Sequence, residues 1–297
     1  DLIKKSFHDE LSGKVICDAV KNEKFCKSLL IFINECISRN IIPNELKISL
    51  VTPLPKINEA VKCEDFRPIN NLPVIEKVIE TVILNQIKDY VHENDIMCDR
   101  QFGFRKKMST EDAVNVSLVD WFDEYEKDNV IVIVSLDLKR AFETIDRKIL
   151  LQKLRRYGFK ESVLELLKNY LENRFQVTKI NNILSDKLLV ENGVPQGSKL
   201  SNILFSLFIN DIALNVDERM KVTLFADDTL LYCAHKSKET AIKIMNKNLE
   251  NISDWLKFNR LALNVKKCNA MIINDRCETN YELKIDDKII EANDSFK

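Results

Sequence analysis

Asp137, Asp227 and Asp228 are the residues whose type and placement could do chemistry in this chain. Asp227 and Asp228 are neighbours within Val222–Tyr232, where apolar residues on both sides and the Val, Thr, Phe and Tyr content predict a hairpin with the acids at its bend. Two carboxylates about 4 Å apart repel by roughly 4 kcal/mol at an effective dielectric of about 20. A half-buried pair therefore needs protons or cations, whereas a solvated turn escapes the cost. Asp137 favours the first alternative. It ends the run Val130-Ile-Val-Ile-Val-Ser-Leu136, a pattern typical of a strand buried on both faces, where an unpaired carboxylate is costly. Acids meeting at strand ends suit hard cations such as Mg²⁺, which take oxygen ligands. Two such ions about 3.5–4 Å apart stabilise the attacking and leaving oxygens of an in-line phosphoryl transfer. Spacing alone leaves the nucleophile open between a 3′-hydroxyl and water, so polymerase and nuclease both stand.

The elements that must position these acids follow from periodicity. Phe25, Leu29, Phe32 and Cys36 predict an amphipathic helix over 25–37, and Lys47–Lys56 reads as a strand whose prolines confine it to an edge or to its own end. A helix is predicted from Val74 to Val91, preceded by Asp65-Phe-Arg-Pro-Ile69. Arg67 is biased to an extended conformation by Pro68, and Lys77 lies in the helix's first turn, so either cation could approach phosphate or remain a solvated surface charge. Gln101-Phe-Gly-Phe-Arg-Lys-Lys-Met-Ser-Thr110 interleaves aromatics with cations, which suits a nucleic-acid strand or a loop pinned by its two Phe side chains. Ser109 and Asp112 form a capping pattern for a helix through Tyr125. Asp146 is placed to cap a helix that ends at Gly158, and Phe175–Ile180 pairs with Leu188–Val190 through Asn181-Asn182 and the loop beyond. Two of the chain's five glycines fall within five residues, Gly193 and Gly197, which implies close approach by a backbone or a ligand. An apolar helix over 200–212, the hairpin, a helix through Met245, Leu249, Ile252 and Leu256, and a strand over 270–273 complete the pattern, while the last twenty residues carry no clear signal.

At 297 residues with 45% hydrophobic and 31% charged residues, the chain can bury a large core and divide into subdomains. Lysine plus arginine number 45 against 46 acids, so a nucleic-acid surface has to be a local groove and not a global charge excess. The eight cysteines form no Cys-x-x-Cys pair, which predicts reduced thiols in an intracellular protein. There is no signal peptide and no apolar run of membrane-spanning length, and a start at Asp1 without Met suggests a piece of something longer.

Asp137-Leu-Lys-Arg-Ala-Phe-Glu143, Gly193-Val-Pro-Gln-Gly-Ser198 and Phe225-Ala-Asp-Asp228, in this order, resemble the palm motifs of reverse transcriptases, specifically those of non-LTR retrotransposons similar to the jockey group. Phe66-Arg-Pro-Ile69, Gln101-Phe-Gly-Phe-Arg105 and Leu263-Asn-Val-Lys-Lys267 extend the resemblance over roughly residues 46 to 274. It implies an α+β fold of right-hand polymerase fingers and palm, the palm sheet ferredoxin-like and packed on helices. Residues 1–130 would be the mostly helical fingers and 131–297 the palm, with 147–190 partly associated with the fingers and the thumb absent or truncated.

The same resemblance implies roles. Asp137 and Asp227 become ligands of two Mg²⁺ ions, for which Mn²⁺ can substitute, with Asp228 the third acid and Leu138 offering a backbone carbonyl. Phe142 matches the aromatic that excludes a ribonucleotide's 2′-hydroxyl, and Gln196 with Gly197 matches the loop against the template and incoming nucleotide, where a side chain at 197 would obstruct the strand. Arg67 and Lys77, joined by Arg105, match cations that hold the triphosphate, and Lys267 the lysine that protonates the leaving pyrophosphate. Implied partners are an RNA template, a DNA primer at a nicked target and deoxynucleoside triphosphates, with no membrane. The implied setting is the nucleus, with assembly in the cytoplasm; oligomeric state is left open. Glu143 stands where the family usually has Asp, and Cys268 where Thr is usual. The rival reading is a decayed or domesticated fragment that binds RNA without polymerising.

Overall fold

The β-branched run at 130–136 does form a strand, and with the Val222–Tyr232 hairpin it builds the sheet that carries the acids. The computed structural model describes residues 13–181, 183–275 and 282–291. In chain order these form helices α1 (Gly13–Ala19) and α2 (Glu23–Ser38), strands β1 (Ile48–Pro55) and β2 (Phe66–Asn71), helices α3 (Val74–Glu93) and α4 (Thr110–Glu126), and strand β3 (Val130–Leu136). Helices α5 (Ala141–Thr144), α6 (Arg147–Arg156) and α7 (Glu161–Leu171) lead to strands β4 (Arg174–Ile180), β5 (Ile183–Leu184) and β6 (Leu188–Val190). Helix α8 (Lys199–Ile209), the hairpin β7 (Met220–Phe225) and β8 (Asp228–His235), helix α9 (Lys238–Phe258) and strands β9 (Asn269–Ile273), β10 (Leu283–Ile285) and β11 (Lys288–Ile290) follow.

Two compact units divide the chain: Asp1–Asn94 with Ile145–Leu204, and Asp95–Thr144 with Phe205–Lys297. The division departs from the boundary expected at 130/131, and strand pairing explains why. Residues 95–130 belong with the second unit because α4 packs on β3 and β7, and the Phe102 amide donates to Leu224 O at 2.8 Å. Residues 145–204 belong with the first because β4 runs parallel beside β1, Ile48 opposite Phe175.

In the first unit the sheet order is β2-β1-β4-β5, with β6 also on β4. Pro53 and Pro55 pair only with β2, so the prolines sit at the end of β1, beyond the residues that meet β4. Helix α2 buries Ile33 and Cys36, and Phe32, which the spacing placed on that stripe, is exposed: the inward line runs 25, 29, 33, 36. Helix α3 buries Ile79, Ile83 and Ile87, and with them two carboxylates, Glu76 and Glu80. Asp146 caps α6 by accepting from the amides of Lys148 and Ile149.

In the second unit the sheet order is β7-β8-β3-β9, every neighbouring pair antiparallel. With helices between β3 and β7 and α9 between β8 and β9, this is the strand–helix–strand–strand–helix–strand path of a ferredoxin-like sheet. Alternate residues of a strand face opposite sides. On one side Ile131, Ile133 and Tyr232 form a buried cluster with Trp121, Leu230, Ala234, Met271 and Ile273 packed against it. Helix α4 carries the predicted Ser109/Asp112 capping box, yet it buries Ala113 and Ser117 and leaves Val114, Phe122 and Tyr125 more than half exposed. The β10–β11 hairpin lies in the stretch whose sequence carried no signal.

Among the described residues no helix is long and apolar enough to cross a membrane, and the seven described cysteines are all free thiols; Cys277 lies outside them.

Candidate active site

The hairpin that carries Asp227 and Asp228 turns in two residues. Phe225 pairs with Asp228, so Ala226 and Asp227 alone make the connection. Ala226 takes a left-handed φ of +56°, a conformation that such turns normally give to glycine at this position. Next to it, β3 and β8 pair from Val130 opposite His235 to Leu136 opposite Thr229. One further step of the same register sets Asp137 across from Asp228. The electrostatics agree: burial first, then Asp227 and Asp137, push the Asp228 carboxyl above the ordinary carboxylate range, although the residue as a whole is open to solvent. Among the described residues no ion pair reaches any of the three acids, and no three carboxylate, imidazole or thiol side chains gather into a ready-made metal cage. The donors are nonetheless hard oxygens brought together without a protein cation, a set suited to a divalent metal.

Asp137 is held from behind. Its carbonyl accepts the Asn264 amide at 2.9 Å, and the Lys139 amide donates to Ala262 O at 2.7 Å. These bonds bracket the bridge between Leu138 and Leu263, and neither uses the Leu138 carbonyl. Lys267 lies on the short helical turn Val265–Lys267 fastened in this way, and it is exposed. Phe142, on α5, stacks on Phe205 with ring centroids 4.7 Å apart and planes at 24°, so a half-buried ring is backed by a wholly buried one.

Segment 98–105 supports the bend. Gly103 lies so close to it that a Cβ there would fall 2.2 Å from Ala226 N. The Gly103 amide donates to Gln101 Oε1 at 3.0 Å. Arg105, expected to hold triphosphate, has Nη1 on the carbonyls of Cys98 at 3.0 Å and Gln101 at 3.2 Å, so this arm fastens its own loop. Of the aromatics and cations in this segment, Phe102 is buried and Phe104 half-buried, while Lys106 and Lys107 are exposed.

In the first unit, Arg67 is exposed on β2 opposite Leu54, and Lys77 is half-buried in the first turn of α3. Gln196 accepts the Asn70 amide at 2.8 Å through its carbonyl. Gly197 has φ +112°, and a Cβ there would lie 2.5 Å from Asn70 O. The need for glycine is therefore already internal, before any template is considered. Sequence reasoning passed over Glu80, Gly103, Arg147 and Phe205; of these only Gly103, one glycine among five, carried a signal.

A family model described as reverse transcriptase (RNA-dependent DNA polymerase) matches residues 54–290. The probable RNA-directed DNA polymerase from transposon BS of Drosophila melanogaster is 29% identical over 250 residues, which are 80% of this chain and 27% of that protein. The RNA-directed DNA polymerase from mobile element jockey of the same species is 23% identical over 276 residues, 91% of this chain and 30% of that protein. The chain thus spans under a third of the length of these relatives. Among solved structures, apo telomerase from Candida Tropicalis matches with a TM-score of 0.58 at 13% identity, covering 89% of this chain and 51% of that one, a likeness of fold. The mixed helix-and-sheet fold expected from the motifs is therefore the one present. The family match begins within β1 and ends with β11, taking in all three acids, and on that match the chain belongs to the reverse transcriptase family.

Proposed function

We propose that this chain is the RNA-directed DNA polymerase core of a non-LTR retrotransposon, extending a DNA primer on an RNA template. One observation carries the reading: the β3–β8 register that sets Asp137 across from Asp228, at the end of a sheet that carries an apolar cluster on one face. The family works with divalent metal. In the proposed site Asp137, Asp227 and the Leu138 carbonyl hold two Mg²⁺ ions, or Mn²⁺ in their place, with Asp228 beside them. When bound, such ions lower the barrier by stabilising charge on the attacking and leaving oxygens.

The chain's own residues do the rest. Asp137 is kept at the strand end by bonds to its backbone, which leaves its carboxylate to face the reacting groups. Phe142 presents a flat ring against the sugar and excludes a 2′-hydroxyl by bulk, its place set by Phe205. Lys267 gives a proton to the pyrophosphate as it departs, a task suited to an ammonium. In the first unit we assign Arg67 and Lys77 to phosphate contacts and Gln196–Gly197 to the template and the incoming nucleotide.

The test is primer extension on poly(rA)/oligo(dT) with and without Mg²⁺, using the chain and its Asp227→Asn variant. Extension that needs the metal and disappears in the variant is expected. Equal extension by the variant overturns the site; template retention with no incorporation marks an RNA-binding fragment; a shortened primer marks a nuclease.

A further inference from the structure

The first unit buries more charge than its fold requires. Glu76 and Glu80 lie one helical turn apart on α3, each only 1% exposed, and like charges at that spacing repel. Glu76 has an opposite charge, Arg174, at 2.8 Å. Glu80 is compensated differently, by hydrogen bonds. Its Oε1 accepts from Tyr170 Oη and from Ser198 Oγ, both at 2.6 Å, and its Oε2 accepts from the Lys199 amide at 3.0 Å. Both Ser198 and Lys199 adjoin the segment that contains Gln196 and Gly197.

That segment is fastened along its length. Ser198 Oγ also accepts the amides of Leu200 at 3.1 Å and Ser201 at 3.3 Å, so Glu80 orients the very hydroxyl that caps α8. Ser201 Oγ donates to Pro195 O at 2.8 Å, which closes the turn. At the other end Arg147 donates to three carbonyls: Val190 at 2.8 Å, Gly193 at 2.9 Å and Asn192 at 3.2 Å. The Gly193 amide donates to Ile145 O at 2.8 Å, and in the middle Asn70 holds the Gln196 carbonyl while its own side chain accepts from Ser49 Oγ at 2.8 Å.

A buried carboxylate that lacks a partner costs several kcal/mol. The bonds around Glu80 satisfy both of its carboxylate oxygens, and a satisfied buried network rigidifies what it holds. We infer that Glu80 and Arg147 are positioning residues, which clamp the 190–198 loop from its two ends so that the backbone at Gln196–Gly197 keeps one conformation for template and nucleotide. The inference rests on the polymerase reading for the loop's use, though not for the clamp itself.

Two variants separate clamp from fold. Glu80→Gln keeps the shape of the side chain, but its amide must turn a donor toward either the hydroxyl pair or the Lys199 amide. Arg147→Lys keeps the charge and loses the fork that reaches three carbonyls. Backbone hydrogen exchange and steady-state primer extension are measured on both variants and on the parent. The expected result is exchange of amides within 190–198 faster by roughly tenfold or more, with 220–235 unchanged. KM for the deoxynucleotide should rise by roughly tenfold while kcat changes less. Unaltered exchange in 190–198 in both variants overturns the clamp. Faster exchange with unaltered KM overturns its role in nucleotide placement. A parent chain that extends nothing, combined with faster exchange in the variants, sinks the polymerase reading and leaves the clamp standing. Should Glu80→Gln fail to fold, Arg147→Lys decides alone.

Discussion

Gly103 and Ala226 meet backbone to backbone: a Cβ on Gly103 would lie 2.2 Å from the Ala226 nitrogen, closer than side chains ever come to a main chain. Ala226 already holds a left-handed φ of +56°, so it has little freedom to move aside. Gly103→Ala should shift the bend by a fraction of an ångström or more. Misplacement of reacting groups by about 1 Å can cost 10²-fold in rate. We expect primer-extension kcat to fall by on the order of 10²-fold while template binding in a gel shift is retained. Activity within about twofold of the parent would mean that the bend adjusts freely.

Gly197→Ala should act on stability. Its φ of +112° is strained for any side chain, and Asn70 O stands 2.5 Å from the added methyl. A loss of about 1–3 kcal/mol is expected in urea unfolding, the range for strained backbone positions. Asn70→Ala keeps the backbone carbonyl in place and should not rescue the variant.

Phe142→Ala should admit ribonucleotides, lowering the preference for deoxynucleotides by roughly tenfold or more, the scale on which pocket shape discriminates. Because the Phe142 ring rests on Phe205 at 4.7 Å, Phe205→Ala should loosen the same selectivity to a smaller degree. Competition assays with paired nucleotides read both. Unchanged discrimination in Phe142→Ala would remove the gate.

Asp120 should set an acid limit on the second unit. Burial alone would raise its carboxyl, but Lys221 at 2.5 Å, Tyr232 at 2.5 Å and Arg100 at 2.7 Å bring it down to about 2. The unfolded carboxyl titrates near 3.8, so the folded form binds its proton less readily. The stabilisation is therefore complete above about pH 4 and is lost as pH falls toward about 2, amounting to roughly 2 kcal/mol. Thermal unfolding between about pH 5 and about pH 2 should show this slope, and Asp120→Asn should flatten it.

The elements that carry the acids were legible because their patterns have one reading. The run Val130–Leu136 is β-branched throughout, and every residue but Ser135 is buried. The hairpin alternates and turns where expected, and the capping pair Ser109 and Asp112 forms both of its bonds. What escaped was decided by partners distant in sequence. Glu76 and Glu80 look like the polar face of α3, and only Arg174, Tyr170 and Ser198, roughly a hundred residues on, make their burial tolerable. Helix α4 turns Ala113 and Ser117 inward, where small side chains permit close packing, so its apolar spacing gives the wrong face. Hydrogen bonds between β1 and β4 return residues 145–204 to the first unit, in line with the partial association of 147–190 with the fingers, whereas the assignment of 95–130 to the second unit rests on the packing of α4 on β3 and β7, which composition does not record.

The side to which Asp228 points is a matter of parity. Asp228, Leu230, Tyr232 and Ala234 share one face of β8, and the last three pack with Ile131 and Ile133. A slip of one residue in β8 would turn the acid to the opposite face, and it would turn that whole apolar set with it. Burying Leu and Tyr side chains contributes about 1.5–3 kcal/mol each. The orientation of the acid is thus proofread by side chains that never approach the reaction, and an insertion or deletion within β8 should be far more damaging than any single exchange along it.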